Sequence, residues 1–237
     1  MVRSKHEICI YEGNKEAVNV CERIIRGEYP YRALYLYGPK HSGKTTLLNY
    51  LKKSLNRQNP FKKILTPSKG IDFDERMMLT INIDWAYAIV VDDLEDLRKS
   101  MTFQEFLIEA YREKVSSRDD FIFIVTAEKP LEEYEGYIDK WFYSLLKSGE
   151  SIALRGATNT ECREIMRSFA KEKGIDTNAD LERAISTIIN AEGLNLGRIL
   201  DSFNKIAIRA DVTDRAISAD IANELLFDSL ELELIGA

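Results

Sequence analysis

The first two thirds of the chain alternate apolar runs with amphipathic stretches, and the last third is amphipathic throughout. Leu34–Tyr37, Ala88–Val91, Phe121–Val125 and Ile152–Leu154 are continuous apolar runs in a polar background. Runs of this length suit strands buried on both faces of a parallel sheet. Lys63–Thr66 is a shorter, more polar strand candidate. Between these lie helical periodicities. Ala17, Val18, Cys21, Ile24 and Ile25 share one face of a helix from about Lys15 to Arg26, closed by Gly27 and Pro30. A second helix opens near Lys44 and runs to about Leu55, and a third spans Thr102–Lys114 on the stripe Phe103, Phe106, Leu107, Ala110 and Tyr111. After Arg155 only helical stripes remain: Cys162–Phe169, Leu181–Ile189, Leu196–Ile206 and Ile221–Leu226, the last capped by Ser218. Strands alternating with helices imply an α/β fold with a parallel sheet and right-handed crossovers. The pattern divides at Arg155 into an α/β core, residues 1–155, and an all-helical unit, residues 156–237.

The strand Leu34–Tyr37 leads into Gly38-Pro39-Lys40-His41-Ser42-Gly43-Lys44-Thr45, followed by Thr46 and the helix. This fits G-x-x-x-x-G-K-[ST] in the strand–loop–helix setting that the motif requires. The glycines permit a tight turn and let backbone N–H groups approach phosphate oxygens at a helix N-terminus. Lys44 has the reach for β- and γ-phosphates, and the Thr45 hydroxyl suits Mg²⁺. His41 occupies a variable position and serves as a spacer. Ala88–Val91 ends in Asp92-Asp93, at the carboxyl end of a buried strand, where open α/β sheets bind ligands. Asp92 is then the candidate Mg²⁺ ligand and Asp93 the group that orients an attacking water. Phe121–Val125 ends in Thr126-Ala127-Glu128, which sets a polar side chain between the two motifs.

Composition narrows the class. The 237 residues carry a formal net charge of −6 with 30% charged residues. An acidic balance argues against a broadly basic nucleic-acid face and leaves at most a weak, local DNA contact. Lys62, Lys63 and Lys69 form a small basic cluster that reads as a solvated face. Cys9, Cys21 and Cys162 show no metal or redox spacing, and with no apolar membrane span or signal sequence they suit a cytoplasmic protein.

Taken together, LYLYGPKHSGKTTLL, AIVVDDLEDL, VTAEKP and LNLGRILDSF resemble the phosphate loop, the Asp-Asp Walker B form, the first sensor and the lid helix of AAA+ ATPases. The resemblance is to the DnaA/Hda branch of bacterial replication initiators and their regulators. It implies a P-loop AAA+ core with a C-terminal helical lid, binding ATP or ADP with Mg²⁺. It implies that Thr126, or else Glu128, is sensor one. It further implies that Arg198 is sensor two, and that the segment with Tyr11, Gly13 and Asn14 frames adenine. Partners would be replication proteins: an initiator, a helicase or a sibling AAA+ subunit. The chain departs from the family where an arginine finger is expected. That position falls near Leu145, and no arginine lies between Arg118 and Arg155. Lys140 and Lys147 lack the planar fork of arginine. Neither an origin-reading helix-turn-helix domain nor the sliding-clamp peptide of Hda is evident. The expectation is a nucleotide-dependent regulator or assistant of replication initiation with weak ATPase activity. The alternatives are a nucleotide-stabilised adaptor without useful turnover and a helicase-loader-like factor. A small-metabolite kinase is disfavoured, because the arginine-poor stretch before Arg155 supplies no basic lid.

Overall fold

The computed structural model describes residues 3–5, 8–58, 63–66, 86–97, 104–105, 107–109, 112, 121–213 and 215–226. In chain order its elements are β1 (Arg3–Lys5), β2 (Ile8–Ile10), α1 (Lys15–Ile25), β3 (Ala33–Tyr37), α2 (Lys44–Gln58), β4 (Lys63–Leu65), β5 (Ala86–Val91) and α3 (Leu94–Leu97). There follow β6 (Ile122–Ala127), a 3₁₀ turn (Leu131–Tyr134), α4 (Lys140–Lys147), β7 (Glu150–Ala153), α5 (Asn159–Glu172), α6 (Ala179–Glu192) and α7 (Leu196–Val212). Residues 219–226 are also helical. The chain forms two compact units, one of residues 14–155 and the other of residues 1–13 with 156–237.

The first unit is built on a five-stranded parallel sheet in the order β4-β5-β6-β3-β7. β3, which feeds the phosphate loop, is central and pairs with β6 and β7. All six residues of β6 are buried, as are four of five in β3, which accounts for the unbroken apolar runs. Tyr35, Phe121, Phe123 and Phe142 are among the largest fully buried side chains. Phe123 meets Phe142 of α4 edge-on at 5.6 Å. The Asp139 carboxylate caps α4, accepting hydrogen bonds from the Trp141 and Phe142 N–H groups. Gln104, fully buried, accepts a hydrogen bond from the Asp139 N–H at 3.0 Å. Of the helix expected over 102–114, Gln104, Glu105, Leu107–Glu109 and Arg112 are described, and all are helical. Its remaining residues, and Lys62 and Lys69 of the basic cluster, lie outside the described residues.

All four sequence stripes contribute buried residues to the core of the helical unit. Cys162, Ile165 and Met166 of α5 pack with Ile185 and Ile188 of α6 and with Ile199 and Phe203 of α7. Ile221 and Ala222 close the cluster. Each helix starts on a side-chain cap. Thr158 and Glu161 form a capping box on α5, and Asn178 and Asn195 cap α6 and α7. The N-terminal stretch differs from the expected division at Arg155, because residues up to Gly13 group with the helical unit. The physical reason is apolar burial: Tyr11, 5% exposed, belongs to the same hydrophobic cluster as Ala157 and Cys162. The Glu12 N–H also donates to Glu161 Oε1.

Candidate nucleotide site

Parallel pairing aligns the carboxyl ends of β3, β5 and β6. Tyr37 stands opposite Ala127, and Val91 opposite Val125. The phosphate loop, Asp92-Asp93 and Thr126–Glu128 therefore leave the sheet side by side. The loop is anchored at its root, where the Gly38 N–H donates to the Ala127 carbonyl and the Leu154 N–H to the Tyr37 carbonyl. A Cβ at Gly38 would stand 2.1 Å from the Leu154 carbonyl oxygen, so only glycine fits there. Gly43 has φ 88 and His41 φ 64, so the loop bends through the left-handed region twice. His41 is exposed, like Pro39, Lys40, Thr45 and Thr46, whereas Ser42 is buried.

Lys44 opens α2. Its Nζ donates to the Gly38 carbonyl at 2.6 Å and the Pro39 carbonyl at 3.0 Å. Burial pushes its pKa below the ordinary lysine value, opposed by the nearby charges of Glu128, Asp93, Glu95 and Asp92. Thr45 Oγ1 donates to Asp92 Oδ2 at 3.0 Å. Thr126, fully buried, donates from Oγ1 to Asp92 Oδ1 at 2.8 Å and accepts from the Asp93 N–H at 2.9 Å. Both Asp92 oxygens are thus held, one from the phosphate-loop side and one from β6. The same hydroxyl steadies Asp93, whose backbone takes the strained φ of 83.

Glu128 lies nearer the loop, its Oε1 3.6 Å from Lys40 Nζ. Glu95, on the first turn of α3, is a residue that sequence reasoning misses. Its Oε1 accepts from the Glu128 N–H at 2.9 Å and from the Tyr134 hydroxyl. Its carboxyl lies beside that of Asp93, and burial followed by this neighbour raises its pKa. The signal available in sequence is a third carboxylate two residues after Asp93. The structure therefore brings together Gly38, Lys40, Lys44, Thr45, Asp92, Asp93, Thr126 and Glu128 in one unit. Tyr11 and Arg198 belong to the other. Tyr11 is buried there, and Arg198 is exposed in the first turn of α7, its N–H donating to Asn195 Oδ1. Leu145, at the expected finger position, is 5% exposed and packs in the core, while Lys140 and Lys147 are exposed.

These residues fit a Mg²⁺–nucleotide. Mg²⁺ keeps most of its shell from water and phosphate and needs only one or two protein oxygens, for which Thr45 Oγ1 and Asp92 are the candidates. No group of three or more His, Cys, Asp or Glu that could hold a metal ion occurs among the described residues.

No family model matches the sequence. Solved structures do. Domain III of the Thermotoga maritima replication initiation protein DnaA superposes at TM-score 0.68 and 16% identity, covering 92% of this chain and 93% of that one. AMPPCP-bound DnaA from Aquifex aeolicus superposes at 0.65 and 15% identity over 84% of this chain and 63% of that one, so the chain spans less than two thirds of that DnaA. The Thermotoga maritima RuvB Holliday junction branch migration motor gives 0.61 at 20% identity, covering 91% of this chain and 68% of that one. The chain has the AAA+ P-loop fold, a parallel sheet flanked by helices with further helices C-terminal to it. Within that class its fold is DnaA-like, matching domain III of the initiator along nearly the whole length. No helix among the described residues is long and apolar enough to cross a membrane.

Proposed function

We propose that this protein binds ATP or ADP with Mg²⁺ and uses the bound nucleotide to control contacts with replication proteins, regulating or assisting replication initiation. The observation that carries the nucleotide reading is the clamp on Asp92, held between Thr45 at 3.0 Å and Thr126 at 2.8 Å beside the Lys44 loop. Replication rests on the sequence resemblance, with the DnaA-like fold in support. Bound Mg²⁺ would supply charge neutralisation at the phosphates. Lys44 would exchange its loop carbonyls for phosphate oxygens, and Asp92 and Thr45 would hold the ion. Asp93 would orient water toward the terminal phosphorus, giving slow hydrolysis. Thr126 has committed its one proton to Asp92, which leaves Glu128 as the group to report the terminal phosphate to Lys40. Arg198 and the Tyr11 segment are proposed as the second sensor and the adenine frame on the resemblance alone. A nucleotide-stabilised adaptor is the second reading, favoured by a buried leucine where a finger would stand.

The test is nucleotide binding and ATP hydrolysis by the wild type and Lys44→Ala, each alone and with an initiator from the same source. Binding lost in Lys44→Ala, with wild-type turnover raised by the initiator, supports the regulatory ATPase. Binding with turnover no higher than in Lys44→Ala leaves the adaptor. Absence of binding in the wild type overturns both.

A further inference from the structure

The carboxyl-terminal rim of the sheet contains an acid that the mechanism above does not use. We infer that Glu95 is a positioning residue for hydrolysis: it fixes the strand-end segment from Glu128 to Tyr134 beside the Asp93 carboxyl. The inference rests on the ATP-hydrolysing form of the proposed function.

Two hydrogen bonds and one close neighbour support it. Glu95 Oε1 accepts from the Glu128 N–H at 2.9 Å, which fixes the backbone immediately after β6. It also accepts from the Tyr134 hydroxyl, whose ring is 2% exposed and belongs to the main core cluster. A buried ring in a packed core is a stiff anchor, so the carboxyl it holds is stiff as well. The Asp93 carboxyl is the close neighbour. Asp93 needs such support, because its φ of 83 lies where a residue with a Cβ is strained and drifts unless its surroundings over-determine it. Thr126 fixes its N–H, and Glu95 meets its side chain. Glu95 thus joins the residue that orients water to Glu128, the residue that faces Lys40 at 3.6 Å. Tyr35 extends the same brace, its hydroxyl donating to the Lys129 carbonyl at 2.8 Å.

A positioning role and a proton-accepting role predict different variants. Glutamine keeps the length of Glu95 and an acceptor oxygen for Glu128 and Tyr134, and its amide can donate to Asp93. Alanine keeps none of these. In the full chain, Glu95→Ala is expected to lower kcat about ten- to a hundredfold, the scale of a misplaced reacting group. ATP affinity should stay within about threefold, because the phosphate loop and Asp92 clamp are untouched. Glu95→Gln should keep kcat within about fivefold of wild type on the same reasoning. Without nucleotide, amide exchange over 128–134 should quicken in Glu95→Ala and stay near wild type in Glu95→Gln. Wild-type kcat and exchange in Glu95→Ala would overturn the inference. A Glu95→Gln variant as slow as Glu95→Ala would also overturn it, by showing that the charge acts directly. Affinity and melting temperature falling in step with kcat would reduce Glu95 to a structural contact. If the wild type itself turns over no faster than Lys44→Ala, the ATPase reading fails and this inference falls with it. A wild type that turns over while Glu95→Ala matches it removes the inference alone.

Discussion

At the scale of single residues, the site depends on a few polar atoms with little freedom. Thr126 is the clearest. Its one hydroxyl serves Asp92 Oδ1 and the Asp93 N–H from a fully buried position. Thr126→Val keeps the shape and removes both bonds. It should cost about 1–3 kcal/mol, the penalty for stranding buried polar groups. Urea unfolding of the two proteins checks this, and equal midpoints would show that Asp92 and Asp93 find other partners. Glu95 makes a prediction about pH. Burial and the Asp93 contact raise its pKa above the ordinary 4.5, with Asp93, Glu128 and Tyr134 facing it. A raised carboxyl pKa means the folded state binds more protons than the unfolded, so this contribution is full at low pH and is lost as pH rises through the folded pKa. Glutamine does not ionise. The melting temperature of Glu95→Gln minus that of wild type should therefore grow from pH 4.5 toward neutrality. A flat difference would deny the raised pKa. Glu95 is illegible in sequence because a carboxylate on the first turn of a helix has an ordinary explanation in the helix dipole. Only the fold brings it to Glu128 and Tyr134, 33 and 39 residues away.

At the scale of elements, hydrophobic pattern reveals what is local and misses what is not. β3, β5 and β6 are visible as unbroken apolar runs, and the stripes of α5, α6 and α7 as helical periodicity, because each registers burial along its own length. The order β4-β5-β6-β3-β7 is not visible, since β3 acquires neighbours far along the chain. Nor is the grouping of Tyr11 with the helical unit, whose cause is tertiary packing. α4 is hidden for a different reason. KWFYSLLK is aromatic and short, with weak propensity, and it forms on the Asp139 cap and the burial of Phe142, Leu145 and Leu146. Asp139→Ala should accordingly cost about 1 kcal/mol, as loss of an N-cap typically does. Glycine at 149 is also tertiary in origin. A Cβ there would lie 2.1 Å from the Ala33 carbonyl oxygen, where β7 comes alongside β3. Gly149→Ala should destabilise more than Asp139→Ala, since backbone on both sides must move. Chemical denaturation of both variants ranks them, and the reverse order would mean the β7 edge yields easily.

At the scale of the molecule, two units each carry their own hydrophobic core, and the site residues read from sequence are divided between them. Lys44, Thr45, Asp92, Asp93 and Thr126 lie in one, Arg198 and Tyr11 in the other. Nucleotide that binds only the folded chain stabilises it by an amount set by ligand excess, about 2.7 kcal/mol at a hundredfold excess over Kd. Wild type should therefore melt higher with Mg²⁺ and either ATP or ADP, and Lys44→Ala should show neither shift. Nucleotide can switch a partner surface only if its terminal phosphate is felt differently by two states of the protein. A second sensor on α7 is one means of feeling it. If Arg198 contributes to ATP but not to ADP, Arg198→Ala should keep the ADP shift and lose the additional shift that ATP gives. If the ATP and ADP shifts differ in Arg198→Ala as they do in wild type, Arg198 is a solvent-exposed helix residue. Discrimination between the nucleotides would then have to come from Glu128 and Lys40, and Glu128→Gln should abolish it.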